Sequence, residues 1–160
     1  MTTDRPFVPE GFTVPRELLA PRFRLEPLGP EHNEADLAAW TSSIEHIRAT
    51  PGFAARDWPP ATGMTPEANL ADLRGHAQDF ARRSGFTYTV IEPAGGDVIG
   101  CVYIYPARGA DFDTVVRCWV RADRAELDHP LYEAVAHWLA ADWPLGRIDF
   151  PGRPHPSGRS

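Results

Sequence analysis

The second half of the chain carries three consecutive runs of strand-like sequence. FTYTVI, VIGCVYIY and TVVRCWVR are rich in β-branched and aromatic residues, and they occupy residues 86–91, 98–105 and 114–121. The segments between them, PAGGD and PARGADFD, are short enough only for antiparallel connections. Alternation with a period of two predicts one shared face for four side chains of the second run: Ile99, Cys101, Tyr103 and Tyr105.

A helix and a short strand are predicted next. Apolar residues at helical spacing define one face of a helix over residues 131–143: Leu131, Val135, Trp138 and Leu139. RIDF, at residues 147–150, is then predicted to return parallel to the third strand through a right-handed crossover. The proline- and arginine-rich residues 151–160 are expected to form a flexible tail.

The first half predicts one strand and two helices. Alternating Phe23 and Leu25 indicate a half-buried strand within residues 21–28. Asn33 is predicted to cap a first helix whose apolar face is lined by Leu37, Trp40, Ile44 and Ile47. Thr65-Pro66 predicts the start of a second helix, and Gly85 its left-handed end. Residues 1–21 contain four prolines and are expected to form an extended arm, which leaves a single domain over residues 22–150.

Composition narrows the classes of function. The net charge of −6 disfavours a broad electrostatic surface for nucleic acid. No run is apolar enough to span a membrane and no secretory signal is evident, so a cytoplasmic protein is expected. All sixteen basic residues are arginine, which leaves no lysine nucleophile. The histidines and cysteines lack the spacing of metal ligands, so no metal site is predicted.

The order strand, two helices, three antiparallel strands, helix, strand resembles the GNAT-type N-acetyltransferases. Val98-Ile99-Gly100 and the end of the next strand, Val120-Arg121-Ala122, also approach short motifs of that family. The resemblance implies an α+β fold, with a mixed, mainly antiparallel sheet flanked by helices and a strand–helix–strand crossover. It also implies a degenerate or truncated member, because the family continues beyond the equivalent of Phe150 with a further helix and strands.

The same resemblance implies a site for acetyl-CoA as co-substrate. The backbone of Cys118, Trp119 and Val120 would pair with the pantetheine arm where two neighbouring strands diverge. The family's glycine-rich pyrophosphate loop is replaced here by residues 121–130, which contain no glycine and two acids, Glu126 and Asp128. Arg121 and Arg124 are the candidate phosphate partners. The competing interpretation is that these arginines form local surface ion pairs and that Asp128 caps the following helix.

Three residues are candidates for catalysis. In the family, the end of the first helix and the loop after it border the acceptor site, which indicates His46 late in that helix, and Asp57 and Trp58 in the loop, as lining of an acceptor pocket. Tyr105 could donate a hydroxyl proton from the sheet face that it shares with Tyr103. Each residue also has a purely structural interpretation. His46 could be a surface residue of the helix, Trp58 a core residue, and the two tyrosines aromatic packing on the sheet.

Two functions from different classes follow. The first is an N-acetyltransferase that transfers an acyl group from acetyl-CoA to an unidentified amine. The expected acceptor is a small molecule or another amine. The second is a non-catalytic module that has lost the pyrophosphate loop and serves self-association, for example as a homodimer, or binding of a partner or ligand.

Overall fold

The computed structural model describes residues 6–54, 56 and 58–154. Its elements are six strands and four helices, joined in part by short 3₁₀ segments. The strands are β1 Leu18–Leu19, β2 Arg24–Pro27, β3 Phe86–Ile91, β4 Val98–Pro106, β5 Thr114–Val120 and β6 Ile148–Asp149. The helices are α1 Asn33–Thr41, α2 Ile44–Ala49, α3 Pro66–Arg82 and α4 Asp128–Asp142.

One mixed sheet organises these elements. Its strands lie in sequence order from β1 to β6, and every neighbouring pair is antiparallel except β5 and β6, which are parallel across the α4 crossover. The predicted α+β architecture is therefore confirmed. Short loops enforce the antiparallel pairs, whereas a parallel return needs the length of a helix.

Gly100 occupies a position in β4 that only glycine fits. A Cβ atom there would lie 2.4 Å from the carbonyl oxygen of Trp119 on β5. The register of β3 and β4 also shifts between Val90 and Ile91. This irregularity changes the alternation: Ile99 packs in the core beneath α4, while Cys101 and Tyr103 face the other side. The prediction that Ile99 shares a face with the two tyrosines is wrong, because a bulge inserts a residue into the period of two.

The sheet separates two hydrophobic cores. On one face, α4 packs its apolar stripe against β3, β4 and β5, with Leu131, Val135 and Leu139 fully buried. On the other face, α1, α2 and α3 surround a smaller core around Trp40, Leu73 and Trp119. The described part of the arm covers an edge of the first core, where Phe7 stacks on Phe86 and the Tyr88 hydroxyl donates to the Pro15 carbonyl at 2.5 Å.

The first three helices differ from the predictions in three ways. The first predicted helix is divided into α1 and α2 between Thr41 and Ile44. Asn33 is the first residue of α1 and not its cap, because its side chain is engaged with α3 through Asn69. At the end of α3 the left-handed residue is Arg83, with φ of 62°. Gly85 is needed instead for space, since a Cβ there would lie 2.1 Å from the ring of Tyr105.

The two parallel strands diverge soon after they meet. β5 and β6 pair only at Thr114 with Ile148 and at Val115 with Asp149, although β5 continues to Val120. We call the gap between β5 and the chain beyond Asp149 the fork.

Candidate functional site

Backbone groups of β5 point into the fork at every second residue. Thr114 donates its N–H to the Arg147 carbonyl at 3.1 Å on the β6 side, whereas Arg121 donates to Ile99 at 2.8 Å on the β4 side. Alternation along the strand therefore directs the backbone groups of Cys118 and Val120 toward the fork. Trp119 lies between them and turns its backbone to β4, with its side chain on the opposite face of the sheet from α4.

Arg153 fills part of the fork. Its guanidinium donates to the Cys118 carbonyl at 3.2 Å and to both carboxylate oxygens of Asp128, at 2.9 and 3.0 Å. It also lies over the ring of Tyr132, 5.2 Å from the centroid. Only 6% of this side chain is exposed. The expectation that Asp128 caps α4 is wrong, because the carboxylate binds this guanidinium instead and Asp128 is the first residue of the helix.

The segment after β5 is a compact 3₁₀ turn over Ala122–Leu127. Arg121 forms two hydrogen bonds to Asp123, at 2.9 and 2.8 Å. Arg124 likewise engages both carboxylate oxygens of Glu92, at 2.9 and 3.0 Å, which lowers the pKa of that acid. Both candidate phosphate partners are thus matched with carboxylates in this structure. Their contact with a phosphate stays a prediction.

A cavity of about 840 Å³ opens on the opposite face of the sheet from α4. Its floor is formed by β4 and β5, and its walls by α1, α3 and the segment after α2. Val115, Arg117 and Asp149 extend the lining to the place where β5 and β6 separate. The cavity therefore reaches β5 at the point where the fork begins.

A buried carboxylate lines this cavity. Asp36 on α1 is only 5% exposed, and one of its oxygens accepts a hydrogen bond from the Asn69 amide at 3.2 Å. Burial raises the pKa of Asp36 to about 6, even though the hydrogen bond from Asn69 opposes the shift. Asn69 is itself fixed by the Trp40 indole N–H, which donates to its oxygen at 3.0 Å. The carboxylate is thus positioned by Asn69, and its pKa lies closer to neutral pH than that of an ordinary aspartate.

Aromatic rings surround the same space. Trp58 contacts the rings of Phe53 and Tyr103, with centroid distances of 6.1 and 6.3 Å. The Tyr103 hydroxyl accepts a hydrogen bond from the Trp119 indole at 3.0 Å. An aromatic wall beside a carboxylate favours a cationic guest, because ring faces and carboxylates both attract positive charge. Arg56, Arg108 and Arg117 supply the opposite sign elsewhere along the lining.

Tyr105 belongs to a small polar network at the edge of the cavity. Its hydroxyl donates to Asp79 at 2.8 Å and lies 3.0 Å from the His76 ring nitrogen Nδ1, which also contacts Thr87. Burial lowers the pKa of His76, so this imidazole is neutral at physiological pH. Burial likewise raises the pKa of Tyr105. Tyr105 can therefore donate a hydrogen bond in this structure.

The structure does not bring all predicted catalytic residues together. Tyr105 and Trp58 line the cavity, whereas His46 is not among the described residues that line it. The His46 nitrogen Nε2 is buried without a hydrogen-bond partner among the described residues. Asp57 lies outside the described residues. The catalytic roles of Tyr105, His46 and Asp57 stay predictions.

Sequence reasoning missed Asp36, His76 and Arg153. A signal existed for the first, because Asp36 precedes Trp40 by one helical turn and so places an acid on the apolar stripe of the helix. His76 similarly follows Leu73 by three residues. Nothing local distinguishes Arg153, whose partner Asp128 is 25 residues away in the chain.

Known structures identify the fold. The chain is similar to a ribosomal-protein-S5-alanine acetyltransferase from Vibrio fischeri, with 14% identity, a TM-score of 0.64 and coverage of 82% of this chain and 71% of that one. It is also similar to RimL, a ribosomal L7/L12 alpha-N-protein acetyltransferase in complex with coenzyme A, at 12% identity, a TM-score of 0.58, and coverage of 78% and 68%. An acetyl transferase from Salmonella typhimurium that modifies the N-terminal serine of L7/L12 matches at 10% identity, with a TM-score of 0.53 and coverage of 78% and 68%.

The chain thus has the fold of GNAT-type N-acetyltransferases. No family model matches the sequence, and no curated protein matches it either. Within the described residues, no helix has the length and apolar character needed to cross a bilayer. The described part of the chain also brings together no group of three His, Cys, Asp or Glu side chains that could hold a metal.

Proposed function

We propose that this protein transfers an acyl group from acetyl-CoA to an amine. The donor's pantetheine arm would lie in the fork, and the amine would enter the cavity on the other face. One observation carries the proposal: β5 and β6 separate after Val115, where the cavity adjoins the opening. The Cys118 carbonyl already accepts a hydrogen bond from a donor in the fork, so an amide N–H of the arm has a matching acceptor.

Asp36 is the residue best suited to receive the amine's proton. A carboxylate with a pKa of about 6 is ionised at neutral pH, yet it is more basic than an ordinary aspartate. The free amine would then attack the thioester carbonyl carbon, and the carbon–sulfur bond would break. The proton that the nitrogen loses as the amide forms would pass to the departing CoA thiolate, so that the products are the amide and free CoA thiol. Phe53, Trp58 and Tyr103 would hold the amine as a cation before this step.

Calorimetric titration of acetyl-CoA tests the first half of the proposal. We expect saturable binding, and no heat at millimolar acetyl-CoA would contradict it. Release of free CoA thiol in the presence of amino acids, short peptides, polyamines or amino sugars tests the second half. Asp36→Asn should retain acetyl-CoA binding and lose turnover, whereas Asp72→Asn, another acid on the same cavity, serves as the matched control.

The second candidate is a non-catalytic module with the same fold. It is favoured by the contacts around the fork, where Arg121 and Arg124 are matched with carboxylates and the segment after β5 is a closed 3₁₀ turn. Under this alternative the protein would bind a ligand in the cavity or associate with itself as a homodimer. This alternative would be favoured if acetyl-CoA binds without any turnover. It would also be favoured if the protein sediments as a dimer that does not bind acetyl-CoA.

A further inference from the structure

We propose that Arg153 is an internal competitor of the acyl donor, which must leave the fork before acetyl-CoA can bind. The inference rests on the proposed function for the location of the donor. It goes further by assigning an autoinhibitory role to the segment from Phe150 to Arg153. In this view the structure represents the closed form of the enzyme.

The first support is that arginine and donor require the same acceptor. The Arg153 guanidinium takes the Cys118 carbonyl, which is the backbone group of β5 that an arm lying in the fork would use. A carbonyl has two lone pairs, but the space in front of it holds the planar guanidinium, stacked near Tyr132 and bound to Asp128. The guanidinium and the pantetheine arm therefore cannot occupy this space at the same time.

The second support is a turn that directs the arginine back to the fork. Arg153 donates its N–H to the Phe150 carbonyl at 3.0 Å, which closes a four-residue turn. Pro151 is its second residue, and Gly152 its third, with φ of 76°. Proline followed by glycine with positive φ is the signature of a type II turn, so the reversal is encoded in the sequence FPGR.

The third support is that the contacts of this turn lie outside the sheet ladder. Pro151 and Gly152 lie against Gly52, in the turn that follows α2. Pro154 accepts a hydrogen bond from the Tyr132 hydroxyl. The Phe150 ring packs edge-to-face on the Tyr132 ring, with the centroids 5.3 Å apart. These contacts join two turns and two side chains, whereas β6 itself is anchored to β5 by ladder pairing at Asp149. The segment beyond Asp149 can therefore open while the sheet stays intact.

The chemistry of the closed form explains why it would be populated. The Arg153–Asp128 pair is bidentate, and 6% of the arginine side chain and 25% of the aspartate side chain are exposed. Bidentate pairing is the geometry in which an arginine–carboxylate pair is strong. A ligand that binds only the open form has an apparent dissociation constant increased by the inverse of the open fraction. If about one molecule in ten to one in a hundred is open, removal of the competitor strengthens binding by about ten- to a hundredfold.

Calorimetry with acetyl-CoA on the full chain tests the inference through Arg153→Ala. We expect its dissociation constant to fall at least tenfold below that of the unaltered protein. Arg22→Ala is the matched control, because Arg22 pairs with Glu126 of the neighbouring turn and its loss removes the same charge from an exposed position. An increase in affinity for Arg153→Ala alone supports competition. Equal or weaker binding by Arg153→Ala, while the unaltered protein binds, overturns the inference and leaves the proposed function standing. Absence of binding by both proteins overturns both.

Hydrogen exchange on the unaltered protein provides a second readout that needs no substitution. The Arg153 amide is protected by its bond to Phe150 in the closed form. Saturating acetyl-CoA should accelerate exchange in the peptide that covers residues 149–153, while amides of β4 are unchanged or slower. Slower or unchanged exchange in that peptide at saturation would overturn the inference, even if Arg153→Ala does not fold.

Discussion

The two faces of β5 serve different purposes although they belong to one seven-residue strand. Val116, Cys118 and Val120 point toward α4 into a core of apolar side chains. Arg117 and Trp119 point the other way, where the cavity brings charged and aromatic groups together. One side of the strand therefore belongs to a packed core, and the other side lines a cavity.

The largest expected effect compares one tryptophan from each face. Trp138 on α4 is buried and contacts the rings of Tyr88 and Trp143, with centroid distances of 5.3 and 5.4 Å. Trp138→Ala should lower the free energy of unfolding by about 3–5 kcal/mol, because it leaves a cavity in a close-packed core. Trp58→Ala should cost distinctly less, because Trp58 is partly exposed along the cavity. Urea unfolding monitored by circular dichroism gives both values. An equal loss would show that the cavity face is as tightly packed as the α4 face.

The next effect comes from the buried acid of the cavity. The folded pKa of Asp36, about 6, lies above its ordinary value of 3.8. The resulting contribution to stability is fully present below pH 3.8 and is lost as pH rises through 6. Asp36→Asn removes this loss, so it should stabilise the fold at pH 8 by on the order of 2–3 kcal/mol, with little effect at pH 3.5.

Thermal unfolding of Asp36→Asn and the unaltered protein between pH 3.5 and 8 measures this difference. Asp36→Asn is expected to gain stability while losing turnover, which is the trade expected at a site that stores a strained charge. If Asp36→Asn were less stable than the unaltered protein at pH 8, the ionised carboxylate would have to be stabilised by interactions other than the hydrogen bond from Asn69.

A smaller effect separates the two faces through their tyrosines. Tyr103→Phe removes the acceptor of the Trp119 indole N–H, which is buried, and should cost about 1–2 kcal/mol. Tyr88→Phe on the α4 face removes a donor to the Pro15 carbonyl of the arm, which lies nearer solvent and can bind water instead. We therefore expect a smaller loss for Tyr88→Phe in the same urea experiment. The reverse order would indicate that the arm is more strongly coupled to the domain than this contact suggests.

More of the fold than of the candidate site could be predicted from the sequence. Strands β3, β4 and β5 follow from local composition and short linkers, which physically exclude other pairings. Asp36 and Arg153 acquire their properties from distant partners: Asn69 lies 33 residues from Asp36, and Asp128 lies 25 residues from Arg153. Burial of a charge and occupation of a fork depend on packing that no local pattern encodes. The reversed orientation of Ile99 has the same origin, since it depends on a bulge between two strands.

The smallest expected effect on stability is at Tyr105, which lines the cavity and is a predicted catalytic residue. Its side chain is partly exposed, so water can replace the hydrogen bonds to Asp79 and His76 when Tyr105→Phe removes the hydroxyl. We expect a loss of about 0.5–1 kcal/mol in unfolding free energy. If this hydroxyl protonates or positions the departing thiolate, kcat should fall by about tenfold or more, with KM for acetyl-CoA nearly constant. Thr87→Val, which disturbs the same network without removing the phenol, is the control. An equal decrease in kcat for Tyr105→Phe and Thr87→Val would assign Tyr105 to positioning through His76. A direct role of the hydroxyl predicts a decrease in kcat for Tyr105→Phe alone, because Thr87→Val leaves the phenol in place.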